Sequence, residues 1–151
     1  MRTRLLAAAV AIAALGGASL EALAQAKPDV MVAQRQAAMK LQGKYLGPIG
    51  AMLKGAAPYN ADIVARNATF LENLSRMPWD GFDPSTQSEK SKAKPDIYKD
   101  MTKFKAAAGT LEAETSKLGA AARAKDEAGV RATFGGVAKA CGSCHDAFRE
   151  K

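Results

Sequence analysis

Histidine is all but missing from this sequence, with one in 151 residues, and cysteine occurs only twice. A closed zinc site needs four nitrogen or sulfur ligands, so two Cys and one His fall one short. Aromatic residues make up 6% of the chain, and the basic residues are scattered among few of them, which argues against a nucleic-acid surface built on stacking and phosphate contacts. Hydrophobic runs are short as well. The longest, from Leu5 to about Leu15, is broken by Gly16-Gly17 and falls below the roughly 20 residues that a bilayer span requires. Nothing alternates with the period of a strand, which excludes a thioredoxin-like βαβ dithiol centre.

What is there is concentrated near the C-terminus, in Cys141-Gly142-Ser143-Cys144-His145. The C-x-x-C-H spacing is a known attachment signature of a c-type haem. Residues three apart share one helix face, so both thiols can reach along one edge of a porphyrin and form two thioether bonds. His145 follows Cys144 after a rotation of roughly 100°, which swings its imidazole over the ring toward the iron. A disulfide between the two cysteines is sterically open but leaves the adjoining histidine without a role.

The N-terminus supplies the setting. Arg2 and Arg4 precede the apolar stretch, and small residues follow it, the pattern of a secretory signal peptide. Cleavage after Ala22-Leu23-Ala24 would release a chain starting at Gln25; cleavage after Ala24-Gln25-Ala26 would release one starting at Lys27. The first choice is taken here: residues 1–24 as the leader and 25–151 as one mature domain. Export implies a bacterial periplasm, where c-type haem is attached, and a mature protein without a membrane span. Loss of two arginines and one glutamate takes the net charge from +7 to +6, a basic surface suited to acidic redox partners.

Four helices are expected in the mature chain. The first, between Pro28 and Lys54, carries Val32, Met39, Leu46 and Leu53 with Ile49 interleaved; Gly43, Gly47 and Pro48 weaken its second half, and Pro48 is a candidate kink. Arg35 lies one turn before Met39 on the expected buried face, either paired with an anion such as a haem propionate or snorkelling to solvent. Asn60 is positioned to cap a second helix from Ala61 to about Arg76 that buries Ile63, Phe70, Leu74 and Met77. The segment from Pro78 to Lys94, rich in Pro, Gly and polar residues, reads as a long crossover anchored by Trp79 and Phe82. Pro95 opens a third helix with the stripe Ile97, Met101, Phe104, Ala108, Leu111, Thr115, Leu118 and Ala122. Asp126 caps a fourth, whose stripe of Val130, Phe134, Val137, Cys141, Cys144 and Phe148 includes both cysteines. Gly135 and Gly136 inside it suggest a close approach by a backbone or the porphyrin. The expected fold is all-α: an antiparallel four-helix bundle with one long crossover between the second and third helices and a covalently bound haem.

The chain resembles the cytochromes c′, the high-spin class II c-type cytochromes. Beyond the haem motif, the likeness rests on Arg35-Gln36-Ala37-Ala38-Met39, on Lys54-Gly55 and Pro58-Tyr59, on Pro78-Trp79, and on Asp146-Ala147-Phe148-Arg149. It spans the mature chain, with the haem motif at the far end and no Met among the six residues after His145. The resemblance implies that Cys141 and Cys144 hold one haem c, that His145 is the proximal iron ligand, and that Arg35 and Gln36 contact the propionates. It further implies that Met39 packs over the distal face, that Arg149 flanks His145, and that Thr86 and Gln87 complete the propionate site. Family members are commonly homodimers through the first two helices.

The expected function is a periplasmic mono-haem protein with five-coordinate, high-spin iron that carries single electrons, exchanges them with small redox proteins, and binds diatomic gases such as NO and CO. It is not expected to be an enzyme. The alternative within the same fold is a low-spin, six-coordinate electron carrier with His145 and Met39 as ligands. A thiol oxidoreductase using Cys141 and Cys144 is the rival from another class.

Overall fold

The computed structural model describes residues 26–151, so the leader assigned to residues 1–24 lies outside the described residues. Four long helices and one short turn of helix follow in order: α1 (Pro28–Leu53), α2 (Ala61–Leu74), α3 (Asp96–Lys99), α4 (Met101–Arg123) and α5 (Glu127–Phe148). Neighbours pack as α1 on α2, α2 on α4 and α4 on α5, an all-α antiparallel four-helix bundle. No described helix is long and apolar enough to cross a membrane.

The helix starts are set by side chains. Asn60 Oδ1 accepts from the backbone N–H groups of Asp62 and Ile63, both at 3.0 Å, and Asp126 Oδ1 accepts from Gly129 N–H at 3.0 Å. The third long helix departs from expectation. It does not run on from Pro95, because Asp100 leaves helical geometry (φ −135°, ψ 70°) and caps a new helix by accepting from Lys103 N–H at 2.9 Å. Ile97 therefore reaches the interior from the separate turn α3, and the rest of the stripe from α4. Pro48, by contrast, is absorbed without ending α1.

The main core joins Ile49 and Met52 of α1, Val64, Ala68 and Leu71 of α2, Leu111 and Leu118 of α4, and Val130 and Val137 of α5. A second, smaller cluster of Ile97, Phe104 and Phe148 lies at the other end, with Trp79, Phe82 and Cys144 against it. Its rings stack edge to face: Phe104 lies 5.3 Å from Phe148 and 5.9 Å from Trp79. The buried face of α1 is turned from the expected stripe. Arg35, Ala38 and Gln42 are buried beside Val32 and Ile49, while Met39, Leu46 and Leu53 are half-buried along its flank. On α2, Val64, Ala68 and Leu71 take the interior, whereas Phe70 (42% exposed), and Met77 (57% exposed) just beyond the helix end, face outward, contrary to the expected stripe.

Helices α1 and α5 touch at Gly50, where a Cβ would stand 2.9 Å from the Phe134 ring. Of the two glycines of α5, Gly136 makes a close approach, to the Glu114 carboxylate, and Gly135 faces open space.

Candidate functional site

Beyond that contact, α1 and α5 both line a cleft of about 370 Å³. Its α1 wall is Arg35, Gln36, Met39 and Lys40; its α5 wall is Cys144, His145, Phe148 and the following Arg149. Phe82, Ile97 and Phe104 supply an apolar floor, with Ser91, Lys92 and Ala93 of the crossover along one edge.

Arg35 is the most constrained polar group here, at 3% exposure. Its Nη1 donates to the carbonyl of Gly81, to Thr86 Oγ1 at 3.1 Å and to Tyr98 Oη at 3.3 Å, and its Nη2 donates to Ser91 Oγ at 3.1 Å. The guanidinium also lies 4.1 Å from the centre of the Phe82 ring. Thr86 and Tyr98 share a further hydrogen bond at 2.9 Å. The crossover can press this closely on α1 because residue 81 is glycine: a Cβ there would meet Arg35 Cβ at 2.8 Å and the Met31 carbonyl oxygen at 2.9 Å.

Every one of those partners is neutral. Burying a cation away from water costs several kcal/mol unless an opposite charge offsets it, and none of the described ion pairs includes Arg35. The guanidinium lines the cleft, so an anionic group held in the cleft would complete it. An apolar floor, a buried cation without a counter-charge, and two thiols three residues apart on a helix beside an imidazole fit a haem with its propionates.

On α5, Cys141 packs against the main core and Cys144 against the aromatic cluster, facing the cleft. They form no disulfide with each other, and burial pushes both thiols above the usual thiol range. Partial burial, and then the charge of Arg149, hold His145 below the usual imidazole value against the opposing pull of Asp146. At neutral pH the imidazole is therefore uncharged and has a lone pair to give.

The last turn of α5 is tied to the crossover. Lys94 N–H donates to Phe148 O at 2.9 Å, Glu150 N–H donates to Lys92 O at 2.8 Å, and Lys94 Nζ donates to Asp146 O at 2.9 Å. These bonds form a short antiparallel bridge, Ala93 facing Arg149, that holds the crossover beside His145.

Of the expected site residues, Arg35, Gln36, Met39, Cys144, His145 and Arg149 line one cleft. Thr86 is buried behind it and bonded to Arg35, and Cys141 lies one turn back along α5. Gln87 is exposed, its backbone N–H bonded to Pro84 O, and does not line the cleft. Sequence reasoning missed Tyr98, Ser91, Lys40 and Lys92. No motif marks them; only the path of the crossover brings Ser91, Lys92 and Tyr98 to α1.

The chain is similar to known proteins over nearly all of its described length. The family described as Cytochrome C' matches residues 30–149. Cytochrome c′ of Alcaligenes xylosoxydans xylosoxydans is 40% identical over 126 residues, covering 83% of this chain and 98% of that protein. The crystal structure of cytochrome c′ from Rubrivivax gelatinosus superposes with a TM-score of 0.80 at 37% identity, covering 82% of this chain and 98% of that one. A nitric oxide complex of a point mutant of the Alcaligenes xylosoxidans protein superposes with a TM-score of 0.77 at 40% identity, covering 83% and 98%.

Proposed function

The chain belongs to the cytochrome c′ family, and from that membership we propose that it is a periplasmic mono-haem c-type cytochrome that carries single electrons and binds neutral diatomic gases. The observation that carries this reading is the cleft itself, where Cys144 and His145 face Met39 across an apolar floor with Arg35 at its edge. Cys141 and Cys144 would hold one haem c through two thioether bonds, and the uncharged imidazole of His145 would give its lone pair to the iron. Arg35, fixed by Gly81, Thr86, Tyr98 and Ser91, would pair with a propionate, with Gln36 beside it. Bound there, a haem would supply a one-electron ferric–ferrous couple and an iron able to take a diatomic gas. Met39 stands over the apolar floor that holds Phe82, and no aspartate or glutamate lines the cleft, which favours neutral CO or NO over stabilised oxygen and leaves no carboxylic acid to drive turnover. Arg149, whose charge reaches His145, would flank that ligand.

The absorption spectrum of the periplasmically matured protein tests this. A broad, split Soret band that sharpens with CO is the expected result. Sharp α and β bands on reduction, indifferent to CO, would establish the second reading, in which Met39 ligates the iron; that reading is favoured by the half-buried place of Met39 on the cleft wall. A thiol reagent should leave the matured protein unmodified, since thioether sulfurs do not react, and labelling of both cysteines would overturn the proposal.

Pairing of two copies through α1 and α2 belongs to the same proposal. Leu41 (39% exposed) and Phe70 (42% exposed) are apolar residues presented by these helices, and the Tyr45 ring lies 4.9 Å from that of Phe70.

A further inference from the structure

His145 stands on the last turn of α5, three residues before the helix ends at Phe148. A helix leaves its final four carbonyls without intrahelical donors, and a left-handed glycine just past the end commonly folds the chain back onto them. No such glycine is present. Arg149 follows in extended backbone (φ −124°, ψ 136°), and its N–H bonds His145 O at 3.0 Å. Nor does the turn hold a lysine or arginine of its own. The three remaining carbonyls all bond one residue of the crossover. Lys94 N–H donates to Phe148 O at 2.9 Å, and Lys94 Nζ donates to Asp146 O at 2.9 Å and to Ala147 O at 3.4 Å. Lys94 is half-buried and takes part in none of the described ion pairs. Pro95 behind it favours extended backbone, the geometry of the Ala93–Arg149 bridge beside it.

We propose that Lys94 is a positioning residue for His145: it caps α5 from outside the helix and so fixes the turn that presents the imidazole to the cleft. The inference rests on the functional reading above and extends it to a residue that no motif marks. Helix ends open at a fraction of the global unfolding energy. A histidine on a fraying turn would bring several orientations to an iron, each with its own bond strength. The cap narrows that spread by two means. Its ammonium sits at the partly negative carbonyl end of the helix, where a cation stabilises by charge as well as by hydrogen bonds. Its backbone N–H ties the same turn to the crossover, which Arg35 holds to α1 through Ser91, three residues before Lys94. His145 and the α1 wall of the cleft are thus held in one frame.

The test compares Lys94→Met with Lys94→Arg in the holoprotein. The control is Lys99→Met, an equal charge change on α3 at a lysine paired with Asp96 at 2.9 Å. Hydrogen exchange of the C-terminal peptide should quicken by about tenfold in Lys94→Met, the protection that one charge-assisted hydrogen bond confers, and stay within about twofold of wild type in the other two variants. Resonance Raman of the ferrous protein should show the iron–histidine stretching band broadened and moved to lower frequency in Lys94→Met, and restored in Lys94→Arg. Faster exchange with an unchanged band would make Lys94 a structural cap only and overturn the proposal, as would equal changes in Lys99→Met or no recovery with arginine. If Lys94→Met does not accumulate, Lys94→Gln, which keeps a neutral donor, carries the same readouts in the same expected direction. A wild type without an iron–histidine band removes the five-coordinate reading and this inference with it; a band present and indifferent to Lys94 removes the inference alone.

Discussion

Arg35 and Met39 stand one turn apart on α1 and do opposite work in one cleft, the first offering charge and the second denying it. Met39→Ala removes most of the side chain from the wall facing His145. Association of CO or NO with the reduced protein should accelerate by about tenfold, equivalent to roughly 1.4 kcal/mol of barrier, and flash photolysis checks it; unchanged rates would remove Met39 from the gas path. Arg35→Met should instead leave gas binding nearly untouched and lower the stability of the holoprotein by roughly 1.5–3 kcal/mol, read from urea unfolding. It strips the bonds that hold Gly81, Thr86 and Ser91 of the crossover against α1.

At the scale of elements, glycine position decides which helices may touch. Gly81→Ala puts a methyl group against Arg35 Cβ and a backbone carbonyl that cannot swing away, so it should lift the crossover and cost about 1–3 kcal/mol. Gly109→Ala, on an open face of α4 with nothing within 4 Å, should raise stability by about 0.5–1 kcal/mol through helix propensity alone. Thermal unfolding of the two variants should move in opposite directions. The same contrast marks what could be read before the fold was in hand. The caps at Asn60 and Asp126, the stripe of α5 and the haem motif were legible because each is local: a side chain bonding its own helix, or residues sharing one face. The phase of α1 was not. Its apolar residues point to a seam through Met39 and Leu46, but the crossover lies on the Arg35 side and Gln42 Nε2 donates to Leu74 O at 3.0 Å, so polar contacts turn that face inward. The break at Asp100 was hidden for a related reason, since the apolar spacing from Ile97 to Phe104 runs straight across it.

For the molecule as a whole, acid and association are the two levers. Glu72 accepts from Arg123 at 2.7 Å across the α2–α4 seam, and this bond holds its carboxyl below the usual glutamate range. A lowered folded-state value means that the stabilisation is fully present above the ordinary glutamate pKa of about 4.3 and is lost as pH falls through the lowered value. Arg123 is half exposed, so the contribution should be no more than about 1 kcal/mol. Urea midpoints of wild type and Glu72→Gln should accordingly differ at pH 7 and converge as the pH falls through the lowered value. Phe70→Glu places a charge on the apolar face presented by α1 and α2; light scattering should find the wild type dimeric and the variant monomeric, and equal masses would overturn the proposed pairing. Finally, the bundle works as a pair of tongs. Helices α1 and α5 meet at Gly50 and Phe134 and line the cleft between them at Met39 and Cys144, which lie roughly 15 Å along each arm. A jaw is set at its fulcrum, so bulk added at residue 50, which would press on the Phe134 ring, should alter the gape at the far end without itself meeting a gas.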